Sequence, residues 1–253
     1  MSALAARLAA TRGWRRAGLL FFFGALAAAA MPPVNFTPVL LVSFPAFVWL
    51  LDGSGKAWRA ARDGWMFGFG FLVAGLYWIA SALFTDLAQF FWLLPFAVLG
   101  LPALLALFTA VAGLLAYWMW QPGAWRIVSL AIAWSAAEWM RGHWFTGFPW
   151  NLVGYTWSWS DAMMQGGALL GAYGVSFLTV LVAAAPAALG IPDSARAGAG
   201  RWMLPMLAAI VLAAGATFGT LRLADAPRDV VGGATVRIVQ ANVEQRFKWD
   251  PEQ

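Results

Sequence analysis

Two ionisable residues, Glu138 and Arg141, lie close together in an otherwise apolar stretch of the sequence. They are three residues apart, which places them on one face of a helix, where a carboxylate and a guanidinium can interact. Ionisable groups at membrane depth are often functional, so this polar pair is a candidate for binding or orienting a polar group. The alternative, which we favour, is a structural ion pair that ties the end of the helix to the next loop.

The groups that usually make and break bonds are scarce in this chain. It contains no Cys, which excludes disulfides, thiolate metal sites and a thiol nucleophile within these residues. His143 is the single histidine and has no second ligand at metal-binding spacing, so we expect it to lie at an interface. We therefore predict no catalytic residue, no metal site and no cofactor within residues 1–253.

Aromatic residues are concentrated between residues 143 and 160, directly after this polar pair. They are Trp144, Phe145, Phe148, Trp150, Tyr155, Trp157 and Trp159. Such residues commonly form a belt at the headgroup level of a membrane. The functional interpretation is a loop that lines the path by which the acyl chains of lipids enter. Both interpretations depend on the flanking segments being membrane helices.

The composition of the chain is that of a membrane protein. Of 253 residues, 62% are hydrophobic and 11% are charged, whereas soluble domains carry about 25% charged residues. The apolar residues fall in long blocks, which is typical of membrane helices. There are seven blocks, at about residues 17–30, 36–51, 65–84, 90–119, 125–140, 165–190 and 202–221. They predict an all-α polytopic membrane bundle of about seven transmembrane helices within residues 1–223.

Three of the blocks depart from a simple span. The first two are shorter than the roughly 20 residues that a spanning helix needs, which predicts a tilted pair or a re-entrant unit joined at Pro32-Pro33. The first block also has the basic leader and small residues of a cleaved signal peptide, an alternative that we rank below a retained helix. Pro95 and Pro102 predict a kink or a break in the fourth block.

The distribution of positive charge predicts the orientation of the chain. If all seven blocks span, ten Lys and Arg residues lie on one side, and Arg141 is alone on the other side before the tail. The positive-inside rule then places the N-terminus in the cytoplasm and the C-terminal tail in the periplasm of a bacterial inner membrane. The basic residues are scattered between apolar blocks and form no continuous stripe, which excludes nucleic acid as a partner.

Two pairs of glycines have the four-residue spacing of close helix packing. They are Gly64 with Gly68, and Gly167 with Gly171. In a chain with 26 Gly this spacing is a weak signal. We favour chance or plain packing over a specific dimer contact.

The composition changes after residue 223. Residues 224–233 form a polar linker, and the β-branched residues of 235–240 predict a strand. Asp250, Pro251 and Glu252 have the pattern of a helix start. A lone strand is unstable in water, so we predict that residues 234–253 open a larger α/β domain that continues beyond them. A frayed tail is the alternative.

Three groups of motifs resemble those of apolipoprotein N-acyltransferases. The first is GFGF at residues 68–71, running to LYW at 76–78. The second is EWMRG at 138–142, followed by TGFPW at 146–150 and GY at 154–155. The third is VQANVEQ at 239–245 with KWD at 248–250. Their order, spacing and hydropathy agree across essentially the whole chain, which makes the combination more specific than any single motif.

The resemblance implies an architecture and an activity. In this family, eight membrane helices carry a periplasmic nitrilase-like (CN hydrolase) αββα domain, whose first strand would be the one predicted here. The family transfers an acyl chain from a phospholipid, typically phosphatidylethanolamine, to the α-amine of a diacylglyceryl-cysteine lipoprotein. A Cys thioester, a Glu base and a Lys carry the reaction, and all three are expected beyond Gln253. The chain alone is therefore expected to be inactive.

The resemblance also singles out three aromatic residues as binding substrate. Phe148 and Trp150 belong to a family motif whose Trp is tied to activity, so we predict that they contact the lipid. Trp249 matches a family position near the mouth of the active site, and a packing role against the following domain is equally compatible. We assign the other aromatic residues of 143–160 to the interfacial belt.

Two other classes of protein share parts of this pattern. A small transporter is disfavoured because the sequence shows no internal repeat and no charged residue deep in a block. A non-catalytic membrane scaffold stays open as a description of these residues by themselves.

Overall fold

The computed structural model describes residues 2–121, 123–190, 200–225, 233, 235–240 and 242. This part of the chain is helical and contains no strand. Its α-helices are α1 (Ser2–Ala10), α2 (Gly13–Ala27), α3 (Leu40–Asp52), α4 (Ala57–Leu76), α5 (Leu87–Phe90), α6 (Leu101–Trp118), α7 (Trp125–His143), α8 (Asp161–Met164), α9 (Gly167–Ala184) and α10 (Gly200–Ala224). Tighter 3₁₀ turns extend several of them, at Ala28–Ala30, Thr37–Val39, Tyr77–Asp86, Phe91–Leu93, Val153–Trp157 and Ala185–Gly190.

Each of the seven apolar blocks falls on a helix of the structure. Four helical stretches are long and apolar enough to cross a membrane, and they are Ala57–Phe84, Leu87–Trp118, Gly167–Gly190 and Trp202–Ala224. Thr37–Asp52 is a shorter apolar helix. The all-helical prediction is therefore confirmed for the described residues. Four helices have the length and composition of a membrane span, and the prediction of about seven spans is not confirmed.

The first two blocks form a connected pair of helices. The 3₁₀ turn Ala28–Ala30 ends the first, and Thr37–Val39 leads into the second, with the Pro32-Pro33 bond between them. α2 and α3 pack against each other, and both contact α4. The paired arrangement predicted from Pro32-Pro33 is thus present, because each short helix covers an apolar side of the other.

The fourth block is broken, as its prolines predicted. A 3₁₀ turn at Phe91–Leu93 precedes Pro95, and a π-helical turn at Phe96–Gly100 follows it. Pro102 then lies in the first turn of α6, where its missing N–H is not needed. The regular helix therefore begins only at the second proline.

Glycines let α4 approach α6 closely. A Cβ atom on Gly64 would meet the backbone of Thr109 and Gly113, and one on Gly68 would meet the side chain of Thr109. Only glycine allows two helix backbones to come this near. The packing interpretation of the first glycine pair is confirmed within the chain.

The second glycine pair has a different environment. A Cβ on Gly167 or Gly171 would meet no atom within 4 Å. Gly171 has φ 64° and interrupts α9, a conformation that glycine adopts without steric strain. Here the spacing accompanies a kink, and it makes no close contact within the described residues.

The core where α3, α4 and α7 meet is aromatic. Phe47 and Phe67 stack with ring centroids 4.3 Å apart. Trp134 of α7 stands edge-on to Phe44 at 5.3 Å and to Phe67 at 5.8 Å. Trp134 is almost fully buried, so its indole N–H needs a partner inside the protein.

A buried charged cluster joins the N-terminal part of α2 to α4. Arg16 donates from Nε to Oδ2 of Asp63 at 2.9 Å and from Nη2 to the same oxygen at 2.5 Å. Arg16 Nη2 also donates to the hydroxyl of Ser54 at 3.0 Å and to the carbonyl of Leu50, and Ser54 donates to Asp63 at 2.8 Å. We call Arg16, Ser54 and Asp63 the Arg16 cluster. Arg16 counted among the ten basic residues that set orientation, and the structure makes it an internal cross-link.

The predicted strand at 235–240 is not confirmed. These residues are exposed and carry no regular secondary structure. A strand is stable only when its backbone groups pair with another strand, and the described residues supply no such neighbour. Most of the predicted linker, Trp249 and the helix start at Asp250-Pro251 lie outside the described residues.

Candidate functional site

The carboxylate of Glu138 lies inside the protein at the C-terminal end of α7. Its Oε1 accepts a hydrogen bond from the indole N–H of Trp134 at 3.0 Å and another from the backbone N–H of Val153 at 2.8 Å. Glu138 also lines a small cavity of about 10 Å³. A cavity of this size holds about one water molecule. Glu138 therefore joins α7 to the chain that follows the aromatic loop.

Arg141, one turn further along α7, is also buried. Its Nη1 donates to the carbonyl oxygen of Phe148 at 2.9 Å and to that of Trp150 at 2.5 Å. The backbone N–H of Phe148 returns a hydrogen bond to the carbonyl of Arg141 at 2.7 Å. Hydrogen bonds from a charged donor are about twice as strong as neutral ones. Arg141 thus contacts the backbone of the FPW motif both through its guanidinium and through its own carbonyl oxygen.

Glu138 and Arg141 form no direct ion pair. The ion pairs of the described residues join Arg16 and Arg62 to Asp63, and Arg126 to Asp52. Arg141 instead binds carbonyls of the loop that follows α7, and Glu138 binds the backbone N–H of Val153 beyond that loop. Both side chains lie on one face of α7, as their spacing predicted. The predicted ion pair between them is absent, and backbone groups that follow α7 are their partners instead.

The loop between α7 and Val153–Trp157, residues 144–152, will be called the aromatic loop. Phe145, Gly147 and Asn151 have φ values of 57°, 71° and 51°. Non-glycine residues adopt this region at a cost and keep it only where the surroundings enforce it. The side-chain amide of Asn151 fills the space where a Cβ of Gly75 on α4 would lie. Because Gly75 has no side chain, the aromatic loop can pack directly against α4.

Trp150 presents an open ring on this clamped backbone. Its side chain is 53% exposed, although its carbonyl is held by Arg141. Its ring centroid lies 5.4 Å from that of Trp78 and 6.4 Å from that of Phe148. Trp78 is itself 44% exposed. The three rings form an apolar surface with a fixed backbone below it, which we call the Trp150 platform.

Two tyrosines lie close to the same charges. Burial raises the pKa of Tyr155, Tyr173 and Glu138 raise it further, and Arg141 opposes them. Tyr155 is therefore protonated at neutral pH and available as a hydrogen-bond donor rather than as a base. The hydroxyl of Tyr173 occupies the position that a Cβ on Gly142 would take, so α7 and α9 are in close contact here.

The other tryptophans of this region differ in how they are held. The indole N–H of Trp157 donates to Thr179 Oγ1 at 2.8 Å, and that of Trp159 donates to Thr37 Oγ1 at 2.8 Å. Trp144 is 48% exposed and touches Phe108 edge-on at 6.5 Å. Trp157 and Trp159 are thus bonded to neighbouring helices, whereas Trp144 resembles Trp150 in exposure.

The structure brings together Arg141, Phe148 and Trp150 from the sequence-predicted candidates, with Glu138 one turn before Arg141 on α7, and it adds Trp78, which the sequence analysis did not single out. Both tryptophans lie in motifs that had been noted, so the pairing of those motifs was the available signal. Trp249 lies outside the described residues. His143 is exposed, stacks on Trp139 at 4.7 Å and belongs to no group of metal-binding side chains in the part that the structure describes.

The site and the helices around it define a class of protein. It is a helical membrane protein with an aromatic platform held at one end and, among the described residues, no thiol nucleophile to make or break bonds. The model of the family "Apolipoprotein N-acyltransferase N-terminal domain" matches residues 23–185, and the chain belongs to this family. The match covers the whole Trp150 platform together with Glu138 and Arg141.

Curated relatives support the same assignment. The chain is 44% identical to the apolipoprotein N-acyltransferase of Rhodopseudomonas palustris over 99% of its own length and 47% of that protein. It is 45% identical to the enzymes of the same name from Brucella suis and Allorhizobium ampelinum, over 98% and 99% of its length. It covers 47% and 48% of these two proteins. The chain thus spans about half the length of the curated relatives it matches.

Proposed function

We propose that the chain forms the membrane part of an enzyme that transfers an acyl chain from a phospholipid to the N-terminal diacylglyceryl-cysteine of a lipoprotein. In this scheme a Cys thiolate attacks the lipid ester, a thioester forms and the lysophospholipid leaves. The free α-amine of the lipoprotein then attacks the thioester, forms an amide and releases the thiol. The Cys, Glu and Lys of this chemistry belong to the nitrilase-like domain, for which residues 234–253 would be the start.

The Trp150 platform is the observation that carries the proposal. Its exposed rings can cover an acyl chain, and an indole suits the boundary between hydrocarbon and water. The hydrogen bonds from Arg141 and the position of Asn151 on α4 keep the backbone under the ring in one place. A fixed surface of this kind orients a lipid ester for attack, which is where much of an enzyme's rate acceleration arises.

The proposal includes a topology. All seven apolar blocks cross the inner membrane, with the N-terminus in the cytoplasm and the tail in the periplasm. Residues 1–223 form the membrane domain, and residues 224–233 link it to the periplasmic domain. The supports are the asymmetry of ten basic residues against one and the pairing of the short helices α2 and α3.

Parallel fusions test the topology. Alkaline phosphatase and green fluorescent protein are each joined after Leu223, and we expect an active phosphatase and a dark fluorescent protein. A silent phosphatase with a bright fluorescent protein would place the tail in the cytoplasm and end the proposal of a periplasmic active site.

Substitution of Trp150 in the full-length protein tests the platform. We expect Trp150→Ala to reduce conversion of diacylated to triacylated lipoprotein by about tenfold or more, because a lipid misplaced by roughly 1 Å reacts much more slowly. Trp144→Ala is the matched control, since its ring is similarly exposed. Both variants are compared at equal membrane expression. Equal activity in the two would show that Trp150 is an ordinary belt residue.

The same assay tests the location of the chemistry. Residues 1–253 expressed alone, in membranes depleted of the native enzyme, are expected to give no conversion because they contain no Cys. Clear conversion by this chain would require a different nucleophile.

A further inference from the structure

An open groove separates α1 from the beginning of α2, at the end of the bundle opposite the Trp150 platform. Its volume is about 830 Å³. Three arginines line it, namely Arg7, Arg12 and Arg15, together with Trp14 and Leu19. α2 runs from this groove to the aromatic end, and its 15 residues span roughly 22 Å. The groove is therefore separate from the proposed acyl-transfer site.

The positive charge of the groove is not neutralised within the described part of the protein. The ion pairs found there use Arg16, Arg62 and Arg126, and none uses an arginine of the groove. Nη1 of Arg12 donates to the carbonyls of Ala9 and Thr11 at 2.6 and 3.0 Å. Its remaining N–H groups stay available to a ligand. Three guanidinium groups around one concavity favour an anion with several acceptor oxygens.

The walls of the groove favour an amphiphile over a free anion. The Trp14 side chain is 80% exposed, and the guanidinium of Arg15 lies 5.6 Å above its ring. One turn further along α2, Gly18 and Leu19 continue the lining without any charge. The lining of the groove therefore changes from cationic to apolar along α2. A phospholipid changes in the same order, from its charged headgroup to its acyl chains.

We propose that this groove binds an anionic phospholipid, with the phosphodiester among Arg7, Arg12 and Arg15 and an acyl chain along Trp14 and Leu19. Basic pockets at the cytoplasmic ends of membrane helices bind such headgroups. Trp14 marks the interface where the headgroup meets the chain. This assignment rests on the proposed topology, which puts the groove at the cytoplasmic face, and it needs no step of the acyl transfer.

Lipid binding to two matched double variants tests the proposal. Arg7→Gln/Arg15→Gln removes two charges from the groove and leaves the contacts of Arg12 at the end of α1. Lys56→Gln/Arg59→Gln removes two charges from the start of α4, outside the groove. The control is closely matched, because Arg59 lies 5.3 Å above the Trp58 ring much as Arg15 lies above Trp14.

The measurement is native mass spectrometry of the full-length protein in detergent, titrated at low salt with phosphatidylglycerol, phosphatidylcholine or inorganic phosphate. We expect the groove variant to bind phosphatidylglycerol roughly thirtyfold more weakly than wild type, since each basic residue near an anionic surface contributes about fivefold. The control variant should stay within about threefold of wild type. Thermal unfolding in detergent confirms that both variants fold, and Arg7→Gln alone replaces the double variant if it does not.

Three outcomes would overturn the proposal. Equal weakening in the two double variants would mean that the general surface charge attracts the lipid. An equal loss of phosphatidylcholine binding in the groove variant would mean that the groove does not select an anionic headgroup. Displacement of phosphatidylglycerol by an equal concentration of inorganic phosphate would make the groove a site for free anions.

Discussion

The two ends of the bundle use buried charge in different ways. In the Arg16 cluster, a guanidinium and the carboxylate of Asp63 bond directly to each other, and the contact joins α2 to α4. At the aromatic end, Glu138 and Arg141 lie one turn apart on the same helix, yet Arg141 bonds to the backbone of the aromatic loop and Glu138 to the backbone N–H of Val153, which follows that loop. One end ties helix to helix, and the other ties a helix to a loop.

Under the proposed function, the difference separates an end that holds helices together from an end that holds the Trp150 platform in place. A direct buried pair stabilises the arrangement of whole helices, and losing one partner leaves the other charge buried without compensation. Hydrogen bonds to loop carbonyls fix only the loop, and in this protein the loop bears the exposed ring of Trp150. Substitutions at the first end should therefore change folding, and those at the second should change activity.

The largest effect is expected at Asp63. Asp63→Ala leaves Arg16 buried without its carboxylate, and we expect a loss of about 3–5 kcal/mol in the free energy of unfolding. Asp52→Ala is the comparison variant, because the Asp52–Arg126 pair is more exposed than the Arg16–Asp63 pair, and its loss should cost less than that of Asp63. Thermal unfolding in detergent measures both variants.

The double variant Arg16→Met/Asp63→Leu sharpens this test. Replacing both charges by apolar side chains removes the uncompensated ion, so the double variant should be more stable than Asp63→Ala. A double variant that is less stable than the single one would show that the contacts of Arg16 with Leu50 and Ser54 matter more than its pairing with Asp63.

A smaller and more local effect is expected at Arg141. Arg141→Met leaves the carbonyls of Phe148 and Trp150 without their donor, a loss of about 1.5–3 kcal/mol for each hydrogen bond to a charged group. We expect faster proteolysis within residues 144–152 and a loss of acyl transfer that exceeds the loss of expression. His143→Ala is the control, since that side chain is exposed. Global unfolding without selective cleavage of the aromatic loop would show that Arg141 stabilises the whole bundle, as the Arg16 cluster does, rather than the loop alone.

The smallest effect is expected for Glu138→Gln. Oε1 of a glutamine can accept from Trp134 and Val153 as the carboxylate does, so we expect a change of less than about 1 kcal/mol and activity within about threefold. Glu138→Ala removes both acceptors and should cost more. If the glutamine variant were as impaired as the alanine variant, the negative charge itself would be required, and the aromatic end would resemble the Arg16 cluster.

Local patterns in the sequence predicted the helical blocks, the break at Pro95 and the shared face of Glu138 and Arg141. Contacts between distant residues could not be predicted in this way. Arg16 and Asp63 are 47 residues apart in sequence, and nothing in their own surroundings marks them as partners. The contact of Trp78 with Trp150 likewise depends on how α4 and α7 pack. The predicted strand at 235–240, which is not confirmed, would need neighbouring strands that the described residues do not include.

Helix α4 forms a rigid connection between the two ends of the bundle. Asp63 lies near its beginning and Gly75 near its end, and their separation of 12 positions corresponds to roughly 18 Å of one uninterrupted α-helix. Since Asp63 is bonded to Arg16 and Gly75 seats Asn151, an axial displacement of α4 would move both contacts together. A displacement of the N-terminal part of α2 would then move α4 as a rigid body, and with it the aromatic loop that carries Trp150.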